Sequence, residues 1–284
     1  MPQPPALTDR AALERFRTRA HRDPALFLHE DVADEVQERL AEVNRTFTAP
    51  AVVTGFPQLW ADRMPGARIV ADTPVLDLEA GAHDLVVHAL ALHWADDPLG
   101  QIIQCRRALK PDGLFIGVMF GGQSLHELRA VLAQAEADVI GGLSPRVVPM
   151  GEIRDLGALL QRAGFALPVA DGFTRRVLYP NLMRLVQDLR AMGEVNALAA
   201  RHRAPLRRDV LAHAVELYHQ QFADAEGRLV ATVETLFLTG WAPSDDQQKP
   251  LRPGSAAARL ADALGTVETG LEPAPFAAPR PAKD

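Results

Sequence analysis

HDLVVHALALHW (residues 83–94), followed by a short helical stretch, then LKPDG (109–113) and LFIGVMF (114–120), decides how this chain folds. Residues 84–92 are nearly all apolar, as expected of a central parallel strand covered on both faces. Residues 99–109 carry helical spacing that Pro111 and Gly113 stop, and 114–120 read as a second buried strand. Strand, helix, turn and strand in this order form a right-handed crossover, the second half of a nucleotide-type α/β fold.

Upstream of this unit, APAVVTG (49–55) reads as a short buried strand ending at a glycine, and residues 57–64 open a helix with proline. RIVA (68–71) is the next strand and ends at Asp72. Before the sheet lie two amphipathic helices. Thr8 is the expected cap of the first, with Leu13, Phe16 and Ala20 at helical spacing, and Arg10, Arg15, Arg17, Arg19 and Arg22 are placed on its other faces. The second follows Phe27 and Leu28, with Val32, Val36 and Leu40 at four-residue steps.

Downstream, 124–139 reads as a long amphipathic helix, and 155–163 as another closed by Gly164. Residues 165–169 and 175–179 are expected to pair as two strands. Residues 181–192 and 209–222 are expected as helices, and 230–238 as a strand. The expected division is a disordered stretch over 1–7, N-terminal helices over 8–48, one α/β domain with a C-terminal helical insertion over 49–241, and a disordered Pro/Ala-rich tail over 242–284.

Composition excludes several function classes. Thirty basic residues are dispersed among thirty-six acidic ones, for a net charge of -6, so no nucleic-acid footprint appears. Cys105 is the only cysteine, which rules out an intrachain disulfide and any multi-cysteine metal site. It has two readings, a small buried residue or a reactive thiolate beside Arg106 and Arg107. No HxxxH or HExxH spacing suggests a metal centre. No transmembrane segment or signal peptide is read from the sequence, and a reducing cytoplasm is the expected compartment. Arg15, Arg17, Arg19 and Arg22 could form a basic helix face, either simply solvated or docking an acidic or membrane-peripheral partner.

With these segments in hand, the chain resembles the class I S-adenosylmethionine-dependent methyltransferases. The DLVV strand, LKPDG turn and LFIGVMF strand look like that superfamily's fourth strand, its turn and its fifth strand. A narrower likeness runs over about 8–241. SLHELRAVLAQAE (124–136), LSPR (143–146), RDLGALLQRAGF (154–165), LYPNLMRLVQDLRAMGEVNA (178–197) and TGW (239–241) are similar to the branch containing the mitochondrial complex I assembly factor. That branch also resembles the malonyl-carrier-protein methyltransferase of biotin synthesis. The resemblance implies a Rossmann-like sheet with helices on both faces, and S-adenosylmethionine as cofactor. It also implies a protein substrate, an arginine-bearing subunit of respiratory complex I, to be modified by methylation or hydroxylation.

The cofactor half departs from the family. Members carry a glycine-rich turn, roughly GxGxG, after the first strand, because a backbone without side chains lets the cofactor lie close. Here VTGFPQL (53–59) keeps one glycine, with Phe56 adding bulk and Pro57 removing an N–H donor. Two strands ending in acids normally separate that turn from DLVV, yet only RIVA and Asp72 are available. One strand–helix unit and one acid are therefore missing. Counted forward, Asp72 falls near the ribose-binding position; counted backward, near the adenine-contacting one.

The resemblance implies Thr54, Gly55, Asp72, Leu90 and His93 as cofactor-facing positions. His88 and His93 lie at the strand edge where open α/β sheets hold ligands, and each also reads as a hydrogen-bonded structural histidine. Tyr179 reads as a wall of a substrate or partner pocket, or as core. Asp155, Glu194 and Asn196 match the branch pattern, which helix capping explains equally well. Three functions follow: an S-adenosylmethionine-dependent modifier of a complex I subunit, a cofactor-free binding or assembly chaperone of the same partner, and a small-molecule carboxyl methyltransferase.

Overall fold

The computed structural model describes residues 6–247 and 265; residues 6–245 belong to one compact unit, and every element below lies in it. Six strands make one mixed sheet: β1 (Pro50–Thr54), β2 (Arg68–Val70), β3 (His83–Ala89), β4 (Leu109–Phe120), β5 (Ala166–Tyr179) and β6 (Leu229–Trp241). Their order across the sheet is β2-β1-β3-β4-β6-β5. The first four run parallel, and β6 lies antiparallel to both β4 and β5. This is the Rossmann-like arrangement of the methyltransferases, one strand short on the β2 side.

The apolar runs behave as fully covered strands should. Along β3, Val86 joins one core while Leu85, Val87 and Ala89 join the other. Along β4, Phe115 and Met119 face one way, and Leu114, Ile116, Val118 and Phe120 the other. Side chains alternate across the pleat, so an unbroken apolar run means helices on both sides. The first core receives α4 (Pro98–Ala108) and α6 (Ile153–Ala163), and the second receives α2 (Phe27–Glu42) and α3 (Pro57–Arg63). A third core gathers α5 (His126–Ile140), α7 (Leu182–Ala191) and α8 (Arg208–Phe222) around the start of β6.

The aspartate that opens DLVV holds the entrance to β1. Asp84 accepts hydrogen bonds from the Thr48 and Ala49 backbone N–H groups at 2.6 and 2.9 Å and from the Thr48 hydroxyl at 2.9 Å. Removing an acceptor that satisfies three donors costs roughly 1–3 kcal/mol. Asp84→Ala is therefore expected to lower the urea midpoint by that amount with an unchanged m-value, and an unchanged midpoint would refute this role.

Several local expectations need correction. Thr8 is not the cap of α1 (Arg10–Ala20). Asp9 is, accepting from the Ala12 N–H, while the Thr8 hydroxyl donates to Trp94 O at 2.8 Å. The LKPDG turn is absorbed into β4 as a bulge, with His83 opposite Leu109 and Leu85 opposite Leu114, and Asp112 takes φ 58°. Residues 165–169 and 175–179 do not pair with each other. Residues 166–169 and 175–179 belong to one strand, β5, along β6, because β6 offers a continuous edge through Trp241. Leu7 is already tied down, donating to Asp96 and accepting from Ala199. At the other end Ala242 pairs with Gly113. The remainder of the two stretches read as disordered, residues 1–5 and most of those beyond 247, lies outside the described residues.

Candidate functional site

The C-terminal ends of β1, β3 and β4 meet at one edge, where open α/β sheets hold ligands. α1 runs into this edge. Its Arg17, expected on a solvated face, is 6% exposed and donates to Asp72 Oδ1 at 2.6 Å, while Arg10 donates to Oδ2 at 3.1 Å and to the Asp72 carbonyl at 2.8 Å. Burial alone would raise the Asp72 carboxyl, but the charges and hydrogen bonds of Arg17 and Arg10 outweigh it and hold it at about 2. Asp72 follows β2, which pairs only with β1, so it occupies the position counted forward from the glycine turn.

The turn after β1 is filled in the same way. The Thr54 hydroxyl accepts from the Phe56 N–H, and the Gly55 carbonyl lies 3.1 Å from His21 Nε2. A Cβ built on Gly55 would stand 2.6 Å from Arg17 Cζ. Phe56 is buried against His21 and His29, with ring centroids 5.0 and 4.5 Å away. Leu90, buried after β3, takes a strained φ of 46° while its N–H donates to Val118 O.

His93 ends in a second buried cluster. Its Nε2 lies 3.1 Å from Glu194 Oε2, which also accepts from the Trp94 indole at 2.8 Å. Burial opposes ionisation of Glu194, but His93, Arg17 and His29 outweigh burial and hold the carboxyl below its usual range. Its Oε1 is buried with no hydrogen-bond partner, as are Arg17 Nε, His93 Nδ1 and both ring nitrogens of His29. His88 is fully buried, its Nε2 2.8 Å from Gln101 Oε1; Gln101 in turn donates to Thr73 O, fixing the loop beyond Asp72.

Beside Glu194 opens a cavity of about 300 Å³. Trp94, Phe120, Leu28, Leu128, Val148 and Leu189 give it apolar lining, with Arg190 and Asn196 also in the lining. Arg146 reaches this lining already paired with the buried Glu136. Tyr179 is not among the lining residues. It is buried in the third core, where burial and Asp188 push its hydroxyl up. Cys105 is buried in the first core and burial pushes its thiol up, which removes the reactive-thiolate reading.

The edge therefore brings Thr54, Gly55, Asp72, Leu90 and His93 to neighbouring strand ends and leaves Tyr179 elsewhere. Arg17 and Glu194 are the residues that sequence reasoning missed as site groups. Arg17 had a readable signal, because it stands four residues after Leu13 and three before Ala20, inside the apolar stripe. Glu194 had none, since its partners lie about a hundred positions away.

A nucleoside cofactor at this edge needs a free carboxylate for the ribose and an open face at the turn glycine. Both carboxylate oxygens of Asp72 face arginines, each accepting one of their hydrogen bonds, and the space over Gly55 holds the Arg17 guanidinium. The residues present do not fit S-adenosylmethionine in its usual place. Among the described residues no group of three His, Cys, Asp or Glu side chains could hold a metal, and no helix is long and apolar enough to cross a membrane.

Comparison with known proteins agrees with the fold. A family described as a methyltransferase domain matches residues 33–117. The zebrafish protein named "Arginine-hydroxylase NDUFAF5, mitochondrial" is 38% identical over 199 residues, 70% of this chain and 62% of that protein. The human protein of the same name is 37% identical over 74% of this chain and 60% of its own length. The chain thus spans about three fifths of these relatives. The malonyl-[acyl-carrier protein] O-methyltransferase of Halorhodospira halophila is 30% identical over 215 residues, 74% of this chain and 70% of that protein. Among solved structures, the YcgJ protein of Bacillus subtilis superposes with a TM-score of 0.48 at 11% identity, over 75% of this chain and 99% of that one. The resemblance makes S-adenosylmethionine the family's cofactor.

Proposed function

The chain belongs to the class I S-adenosylmethionine-dependent methyltransferase superfamily, and on that premise we propose that it acts in respiratory complex I assembly by receiving an arginine side chain of a protein subunit in the cavity beside Glu194. The observation that carries this reading is a buried carboxylate, held below its usual range and with one oxygen lacking a hydrogen-bond partner, in the lining of a largely apolar chamber whose other polar lining includes Arg146, Arg190 and Asn196. An arginine presents a three-methylene stem to apolar walls and a planar fork of donors to a carboxylate. Leu28, Val148 and Leu189 suit the stem, and Glu194, whose buried Oε1 has no hydrogen-bond partner, is the carboxylate in the lining that a side-chain adjustment would offer to the fork. His93 and the Trp94 indole hold Oε2, which fixes the carboxylate's orientation before any partner arrives.

Arginine is named by the first relatives, and their alignment extends through the α5 to α7 segments that enclose the cavity. The cytoplasm is the compartment assigned by this reading, with the partner met from the soluble side of the complex.

A charge-assisted hydrogen bond contributes about 1.5–3 kcal/mol, or roughly ten- to a hundred-fold in affinity. Glu194→Gln is therefore expected to weaken binding of an arginine-bearing subunit peptide by that factor, while leaving binding of the citrulline analogue unchanged. Equal affinity of both proteins for the arginine peptide would refute the role of Glu194. In cells, normal complex I assembly after deletion of the gene would refute the assembly function.

A further inference from the structure

We infer that the first helix is the resident occupant of the cofactor cleft, with the Arg17 guanidinium supplying the cation and hydrogen bonds that a bound S-adenosylmethionine would otherwise bring, so that the chain works without that cofactor. Four observations converge on it. The one glycine that survives from the cofactor turn is shaped around Arg17, since a Cβ there would meet the guanidinium at 2.6–2.9 Å. Gly193, at φ +73°, shapes the opposite side, with a Cβ 3.0 Å from Arg17 Cγ and 3.2 Å from Phe56 Cζ. In the family the turn glycines admit a ligand; here Gly55 admits a side chain of the same chain.

Charge gives the second observation. Two buried carboxylates line this region, Asp72 and Glu194. Arg17 donates directly to the first and, by its field, helps hold the second ionised. A cofactor carrying a sulfonium and an ammonium group would place positive charge among the same acids. The chain supplies that charge internally, through Arg17.

Third, α1 is built in place rather than poised to swing away. Asp9 caps it, pairs with Arg201 at 2.9 Å and donates its N–H to Ala197 O at 2.8 Å; Thr8 is fixed to Trp94 and Asp96. Fourth, the sheet ends at the three-residue β2, so the strand that would bring a second acid to the nucleoside is missing from the described residues. The loss of that strand and the filling of the cleft are two sides of one change. An arginine needs no platform for an adenine ring.

This inference is tested separately from the arginine-binding proposal, because cofactor binding and peptide binding are separate measurements and a peptide needs no cofactor to bind. Calorimetry on the full chain with S-adenosylmethionine and S-adenosylhomocysteine is expected to give no binding at about 1 mM ligand; a Kd tighter than about 100 μM would overturn the inference. Thermal unfolding supplies a readout without ligand. Gly55→Ala is expected to lower the melting temperature by several degrees in the parent chain, where Arg17 fills the space, and to leave it unchanged in an Arg17→Ala background. An equal drop in both backgrounds, or no drop in the parent, would overturn it. Should Arg17→Ala fail to fold, Arg17→Gln provides the shortened background, and the calorimetry needs no variant. Peptide binding without cofactor binding upholds both proposals, and cofactor binding without peptide binding overturns both.

Discussion

Arg17→Met is expected to lower the unfolding free energy by about 3–5 kcal/mol, the range for removing one partner from a buried ion pair. Methionine retains most of the stem's packing, so the loss falls on the charge. Asp72 is 3% exposed and would keep only Arg10, whose side chain is 21% exposed and whose field is weakened by water. The lowering of Asp72 from the ordinary carboxyl value of 3.8 to about 2 corresponds to about 2 kcal/mol of stabilisation by its surroundings. The remainder arises at Glu194 and at the Arg17 contacts themselves.

For a chain of this size, such a loss lowers the melting temperature by roughly 10 °C, measurable by tryptophan fluorescence. Because the folded Asp72 titrates lower than the unfolded one, its contribution is present above pH 3.8 and disappears as pH falls toward 2. The gap between parent and variant should therefore close below pH 3. A substitution costing less than about 1 kcal/mol at neutral pH would remove Arg17 from the account of the fold.

Acid should act earlier, through two histidines. Burial drives His29 down to about 4, with Glu194 opposing and Arg17 and His93 reinforcing; burial likewise drives His88 down to about 4, against its hydrogen bond to Gln101 and the charge of Asp72. Their folded values lie below the unfolded value of 6.5, so both are neutral in the fold and take up protons on unfolding. Stability is then complete above pH 6.5 and falls as pH drops from 6.5 to 4, by about 3 kcal/mol for each histidine. Together these two sites would remove about 6 kcal/mol, a large part of an ordinary domain's stability.

His29 offers the cleaner test, because neither ring nitrogen has a hydrogen-bond partner. Replacing an unpartnered buried polar group with an apolar one is close to neutral or stabilising. His29→Met should unfold like the parent, or at slightly higher denaturant, at pH 8, and retain about 3 kcal/mol more of its stability at pH 4. Coincident acid-unfolding curves would show that His29 is protonated without opening the fold.

The fold was largely legible because its signals are local. The apolar runs of β3 and β4, the proline that opens α4, and Gly164 closing α6 each state their structure within a few residues. The shortfall of one strand was legible by counting from Gly55 to Asp84. Residues 165–169 and 175–179 read as a pair of strands, but 166–179 form one strand, because its pairing partner is supplied by β6, some sixty residues later. Periodicity reports which face a strand buries, and says nothing of which edge it will find.

The site was legible only in outline. Strand ends placed Gly55, Asp72 and His93 together, since a parallel sheet aligns them whatever lies between. The chain's own residues determined that the cofactor turn had lost its glycines and that one acid was missing. Only the tertiary structure decided what replaced them: Arg17 reaches Asp72 across 55 positions, and Glu194 reaches His93 across 101. An ion pair leaves no period in a sequence. It depends on the distance between two charges and on the water around them, and both are set only when the helix carrying one is packed against the sheet carrying the other.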